Sequence, residues 1–337
     1  MKGSRARFSM NFQYGIEDCD VADKNRLREY REKRIEWLHL LTGDPDHAVW
    51  RQITAMLWND AVFRVANESR RLSRLGDYKS SARNWSIAQF MDQGFVAVQT
   101  LSIRRLMDKA ASKPARQVIS LRRVLDDIKA HRELITRENY VAHDGLPYDP
   151  EPGERAHIEN IIKRGGTRPH SQWLPTTGPQ AWSVSQMVHE RFDKLSGVAR
   201  DRRSRSDVIA DDVFDKIEAM LTKSGWQDIA EFGNKFIAHA ADEHSRSTLL
   251  DGQNGFSLDK LARCHEGICR AAAAIYGPIL WEGSNGLLPI PQFNHFDNLE
   301  AAWLLPQDIE TLSSFWDAHV ETVESWTEGD PLEERKA

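Results

Sequence analysis

Cysteine is scarce: Cys19, Cys264 and Cys269 are the only three in 337 residues. Three thiols cannot build a disulfide framework, which predicts a reducing compartment and a cytoplasmic location. Long apolar runs are missing as well. No uncharged stretch approaches the ~18 residues of a membrane-spanning helix. Arg5 and Arg7 have no apolar segment behind them, so neither a membrane span nor a signal peptide is expected. The chain also lacks a large charge of one sign. Its net charge is -5 and its pI about 6.2, which disfavours a polyanion-coating role while leaving room for a local basic patch. No Walker loop, strand-linked GxGxxG, HExxH or GxSxG elbow occurs, which argues against the corresponding nucleotide, metal and serine chemistries. Cys19 lies in an acidic stretch that raises a thiol pKa, so it is a poor nucleophile candidate. No metal and no cofactor is expected. Strand-like alternation with hairpin turns is absent along the whole chain, and the predicted class is all-α.

What remains is a globular composition, 40% hydrophobic and 28% charged, written in helical periods. The eleven tryptophans read as packing between helices. A first helix over about 21–41 carries Leu27, Tyr30, Arg34, Trp37, Leu38 and Leu41 on one stripe, and Thr42-Gly43-Asp44-Pro45 stops it. Further helices are expected over about 47–75, 85–111 and 119–140. The last of these shows Leu121, Val124, Leu125 and Ile128 at i, i+3, i+4, i+7. A capping box, Ser183 to Gln186, opens a helix running toward Arg200. Helices over 209–225 and 226–241 follow. Ser257 caps another, with Leu261, His265, Ile268, Ala272, Ile275 and Ile279 on one face, and a last helix runs from Pro306 to about 326. Between 144 and 180 lie six prolines and five glycines. This predicts an irregular insertion, 144–182, with a short helix around His157 to Lys163. The expected organisation is a helical domain, 18–282, holding that insert, and a segment, 283–337, of loop and C-terminal helix packed on it.

Several constellations have bland readings. Cys264-His265-Glu266 with Cys269 shares an apolar stripe and reads as a packed helix face. His239, Asp242, Glu243 and His244 read as solvated polar residues after a helix. The run Arg200, Arg202, Arg203 and Arg205 has the fork geometry for phosphate, but Asp201 and Asp207 dilute it.

The informative feature is an internal echo. Residues 232–241 read FGNKFIAHAA and residues 137–143 read RENYVAH. Aligned on the histidine, both carry an aromatic, a β-branched residue, Ala and His. An Arg and a His a few residues apart can form a metal-free ribonuclease centre. The His acts as general base on a ribose 2′-hydroxyl or as acid toward the leaving oxygen, and the Arg neutralises phosphate charge. A spacing of six puts the two side chains off a common helix face, so such a centre needs a kink, a helix end or a partner chain. The alternative is that both histidines cap or pack helix ends.

The surrounding motifs, Ser102-Ile103-Arg104-Arg105-Leu106-Met107-Asp108, Ser120 to Ile128 and Asn234-Lys235-Phe236-Ile237-Ala238-His239, occur in an order that resembles AbiU-type bacterial abortive-infection proteins, grouped with the HEPN superfamily. The resemblance covers roughly 85–280. It implies a HEPN-like helical bundle, a homodimer, RNA as partner and an antitoxin or other defence-system protein as a further one. It implies a metal-independent ribonuclease of a toxin or phage-defence system. The internal echo suggests a composite catalytic site of Arg137, His143 and His239, with Asn139, Asn234 and Lys235 at the substrate, and Arg202 and Arg203 of the basic run are candidates for phosphate contact. The sequence departs from the family pattern at Gly233, where an Arg is expected, and at Glu138, where a small polar residue is usual. Non-catalytic binding members also exist, so a helical binding or regulatory protein is the alternative.

Overall fold

The apolar stripes of the sequence become the core of a helical assembly. The structure, a computed structural model, describes residues 12–75, 85–163, 174–238, 257–283, 286–288, 294, 296–297 and 306–325. Among them there is no β-strand, and one isolated antiparallel bridge joins Thr136 to Val208. The class is all-α, and no described helix is long and apolar enough to cross a membrane.

Helix α1, Lys24–Leu38, starts where the Asp23 carboxylate accepts from the backbone N–H groups of Asn25 and Arg26. Its buried face is the expected stripe with Arg31 added. Helices α2, Val49–Leu75, and α3, Trp85–Met107, pack antiparallel. Their pairing runs from Gln99, which donates to the Met56 carbonyl, through stacked Phe63 and Phe95 to the Arg70–Asp92 ion pair. Helix α4, Leu121–Ala130, is capped by Ser120 and buries Leu121, Val124, Leu125 and Ile128. Trp37 ties it to α1 through a 2.7 Å hydrogen bond to Asp127.

The single helix expected over 119–140 is two. The chain leaves α4 through a tight turn, Arg132–Leu134, and restarts as α5, Arg137–Ala142. Thr136 is the cause: its hydroxyl accepts from Asn139 N–H as an N-cap, and threonine favours caps over helix interiors. The insertion also holds more order than expected. Helix α6, Glu151–Lys163, has Asp149 accepting from Glu151 N–H and two acids in its first turn, where they meet the positive end of the helix dipole. Helix α7, Trp182–Ser196, begins ahead of the expected capping box. Ser185 is buried within it and donates to the Pro147 carbonyl at 2.6 Å.

Helices α8, Asp211–Lys223, and α9, Trp226–Gly233, are separated by Gly225 at φ +72°. A π turn, Asn234–Ala238, continues α9. Helix α10, Leu258–Ala274, buries Leu261, His265, Ile268 and Ala272 as its stripe predicts, and ends in a second π turn, Ile275–Ile279, that includes Pro278. The chain divides into two compact units at 289/290. In the second, α11, Ile309–Ser325, follows a turn over Pro306–Asp308.

Helices α8 and α10 touch through Gly267. A Cβ there would stand 2.5 Å from the Ser224 Cβ and 3.0 Å from the Met220 carbonyl oxygen. Alanine is the better helix former by about 1 kcal/mol, yet the backbone carbonyl cannot move aside. Gly267→Ala is therefore expected to destabilise the protein by about 1–3 kcal/mol, the range for overpacking. A urea denaturation midpoint that rises would show that the two helices can separate freely.

Candidate functional site

The Arg137 side chain is wholly buried. Its backbone N–H donates to the Asp207 carbonyl at 2.8 Å. Its Nε donates to the Asp207 carboxylate at 2.8 Å, one terminal nitrogen to Asp193 at 2.7 Å and to the His189 carbonyl at 3.3 Å, and the other to Ser196 Oγ at 3.1 Å. The guanidinium also lies 5.0 Å from the Phe192 ring centroid. Arg203 grips the same Asp193 with two nitrogens, at 2.9 and 2.5 Å. Two guanidiniums and two carboxylates thus compensate one another across α5, α7 and the segment after it. Burial raises the Asp193 carboxyl, but Arg203 and Arg137 outweigh it and hold the pKa below the ordinary value. This arrangement fastens helices, and it leaves the Arg137 side chain closed to solvent.

His143 closes the other end of α5. Its Nδ1 lies 3.1 Å from the Tyr140 carbonyl, and its ring meets Tyr30 and Phe12 edge-on, at 5.8 and 6.2 Å. Its own carbonyl accepts from Arg31 Nε at 2.8 Å. Burial, reinforced by the positive charges of Arg34 and Arg31, pushes its pKa down to about 3. The imidazole is neutral at pH 7 and too weak a base to take a hydroxyl proton efficiently. Arg137 and His143 share no hydrogen-bond partner and serve opposite ends of one short helix.

The remaining sequence candidates scatter. Asn139 is buried and donates to the Leu134 carbonyl at 2.9 Å, closing the turn before α5. Arg202 is exposed, whereas Arg203 is spent on Asp193. Lys235 pairs with Glu231 at 3.0 Å. Asn234 keeps a buried Oδ1 with no hydrogen-bond partner among the described residues. His239, with Asp242, Glu243 and His244, lies outside the described residues.

Gly233, where the resemblance leads to the expectation of an arginine, sits against α3. A Cβ there would stand 2.0 Å from the Thr100 Cγ2. A side chain at this position requires the Thr100 side chain to shift. Cys264 and Cys269 are buried and free, with burial pushing their thiols up to about 12 and 11. Among the described residues no three His, Cys, Asp or Glu side chains stand close enough to hold a metal ion.

A feature missed at the sequence level lies at the end of α10. A cleft of about 710 Å³ opens there between Trp50 of α2, the π turn and the residues after it. Leu280 N–H donates to the Ile275 carbonyl and Glu282 N–H to the Tyr276 carbonyl, wider hydrogen bonds than those of an α-helix, which cap the π turn. The left-handed position of this cap, usually glycine, holds Trp281 at φ +54°. That conformation costs a non-glycine residue about 1–2 kcal/mol. Arg34 reaches both flanks, donating to the Leu280 carbonyl at 2.5 Å and to the Glu282 carboxylate at 2.6 Å. The signal available in the sequence was the run Tyr276-Gly277-Pro278 followed by Trp281, and general tryptophan abundance obscured it.

Removing one member of a buried ion-pair cluster leaves uncompensated charge, at about 3–5 kcal/mol. Arg137→Ala is expected to lose that much stability at pH 7. The Asp193 carboxylate has a depressed folded pKa, so its contribution is present above the unfolded value of about 3.9 and fades as pH falls through the folded value. The gap between Arg137→Ala and wild type should therefore narrow below about pH 4. Urea melts at neutral and acid pH measure it, and a gap that widens in acid would contradict the assignment.

Comparison with protein-family models, with curated proteins and with solved structures returns no match.

Proposed function

We propose that this chain is a non-catalytic, HEPN-like helical binding or regulatory protein in which the Arg137–His143 motif is architectural. The observation that carries the reading is the engagement of the wholly buried Arg137 by Asp207, Asp193, Ser196 and the His189 carbonyl. A phosphate would have to displace two carboxylates from a buried guanidinium, which loses more than it gains. The contact between Gly233 and Thr100 supports the same reading, because a larger side chain in the later motif would have to displace Thr100. RNA, a second copy of the chain and a defence-system protein are the partner classes that the resemblance brings to this proposal.

A second reading keeps a metal-independent ribonuclease centred on His239, with Asn234 and Lys235 at the substrate. The buried, unpartnered Oδ1 of Asn234 favours it, since such an atom in a native fold calls for a partner.

The test is incubation of purified protein with a mixed RNA pool in EDTA, comparing wild type, His143→Ala and His239→Ala. The binding reading expects no cleavage by any of the three, with RNA retained intact. Chelator-resistant cleavage lost in His239→Ala would transfer the assignment to the ribonuclease reading. Cleavage lost in a folded His143→Ala would overturn the architectural role of the first motif.

A further inference from the structure

The cleft at the end of α10 belongs to neither histidine motif. Its volume of about 710 Å³ falls in the range of roughly 300–1,000 Å³ usual for small-molecule sites. Three of its walls are aromatic. Trp50 and Tyr276 meet at 5.8 Å with their planes 34° apart, and Trp281 faces the same space. Such walls favour a flat, polarisable guest.

The charges at the rim decide its sign. Glu282 is committed to Arg34, and Arg270 pairs with Glu266. Arg191 lies 5.4 Å over the Trp281 ring and has no carboxylate partner among the described residues. The unspent charge at the cleft is therefore positive and sits directly above an aromatic wall. The cap geometry adds a second argument. Glycine would close this helix without strain, and what tryptophan supplies in its place is a wall of the cleft.

We propose that this cleft binds a planar aromatic anion, its ring stacked among Trp50, Tyr276 and Trp281 and its carboxylate or phosphate held by Arg191. The proposal rests on the binding reading above by giving it a ligand. An RNA-cleaving chain with a filled cleft, or an inactive chain with an empty one, separates the failure of one from the failure of the other. An aromatic carboxylate and a nucleoside monophosphate present the same chemistry, and the assay distinguishes them.

Isothermal titration of the full chain with naphthalene-2-carboxylate, 2-naphthylmethylammonium and AMP is the experiment. At least one of the two anions should bind at least about 10-fold more tightly than the cation, the effect of one charge-assisted hydrogen bond. The tighter anion assigns carboxylate or phosphate. Arg191→Gln, a change at an exposed side chain, should remove the preference for anion over cation. Trp281→Gly, which relieves the cap, should abolish binding while the denaturation midpoint shows the chain folded. The proposal is overturned if neither anion binds up to roughly millimolar concentration. Equal affinity for the cation, or affinity unchanged in both variants, would overturn it as well.

Discussion

Desolvated guanidinium groups decide how the helices of this protein end. Arg31, Arg34 and Arg137 are all buried, and a buried guanidinium must satisfy every N–H of its fork. Helix ends and turns offer what it needs, because the last carbonyls of a helix have no partner within it. Arg31 takes the His143 carbonyl at the end of α5 and the Tyr14 carbonyl. Arg34 takes the Leu280 carbonyl after α10. Arg137 takes the His189 carbonyl within α7 and the carboxylates around it. In each case one residue joins segments far apart in the chain, and the need to satisfy both sides fixes their relative positions.

This explains how much of the site was legible beforehand. The apolar stripes of α1, α4 and α10 are local periodicities and could be read directly, down to Leu121, Val124, Leu125 and Ile128. Arg34 was already placed on the buried stripe of α1, yet its partner Glu282 lies 248 positions away. Arg137 reads as a charge near a histidine. Its meaning depends on Asp193 and Asp207, which are 56 and 70 positions distant. No periodicity reports such a pairing. The break at Thr136 has a local signature in capping chemistry, but the expected helix over 119–140 follows the apolar periodicity alone and runs through it.

The internal echo has a related physical reading. Both copies place a small residue and a histidine after an aromatic, and the first copy forms a helix end entering a crowded core. In the first copy Tyr140 reaches the Pro278 carbonyl through its hydroxyl, and His143 packs on Tyr30. In the second, Gly233 allows α9 to approach Thr100 of α3. The absence of a side chain at Gly233 is therefore a packing solution. A side chain there would require Thr100 to give way, so the glycine and the closeness of the two helices go together.

The same logic links α1 to the aromatic cleft. Trp281 occupies a left-handed position that its side chain disfavours, and strain of this kind persists only where the surroundings over-determine it. Arg34 provides that constraint. It binds the residue before Trp281 through a carbonyl and the residue after it through a carboxylate, so relaxation of the intervening backbone would break at least one of two charge-assisted bonds. Each such bond is worth about 1.5–3 kcal/mol, enough to sustain a local cost of about 1–2 kcal/mol. The aromatic wall is therefore held from behind by a helix that does not itself face the cleft.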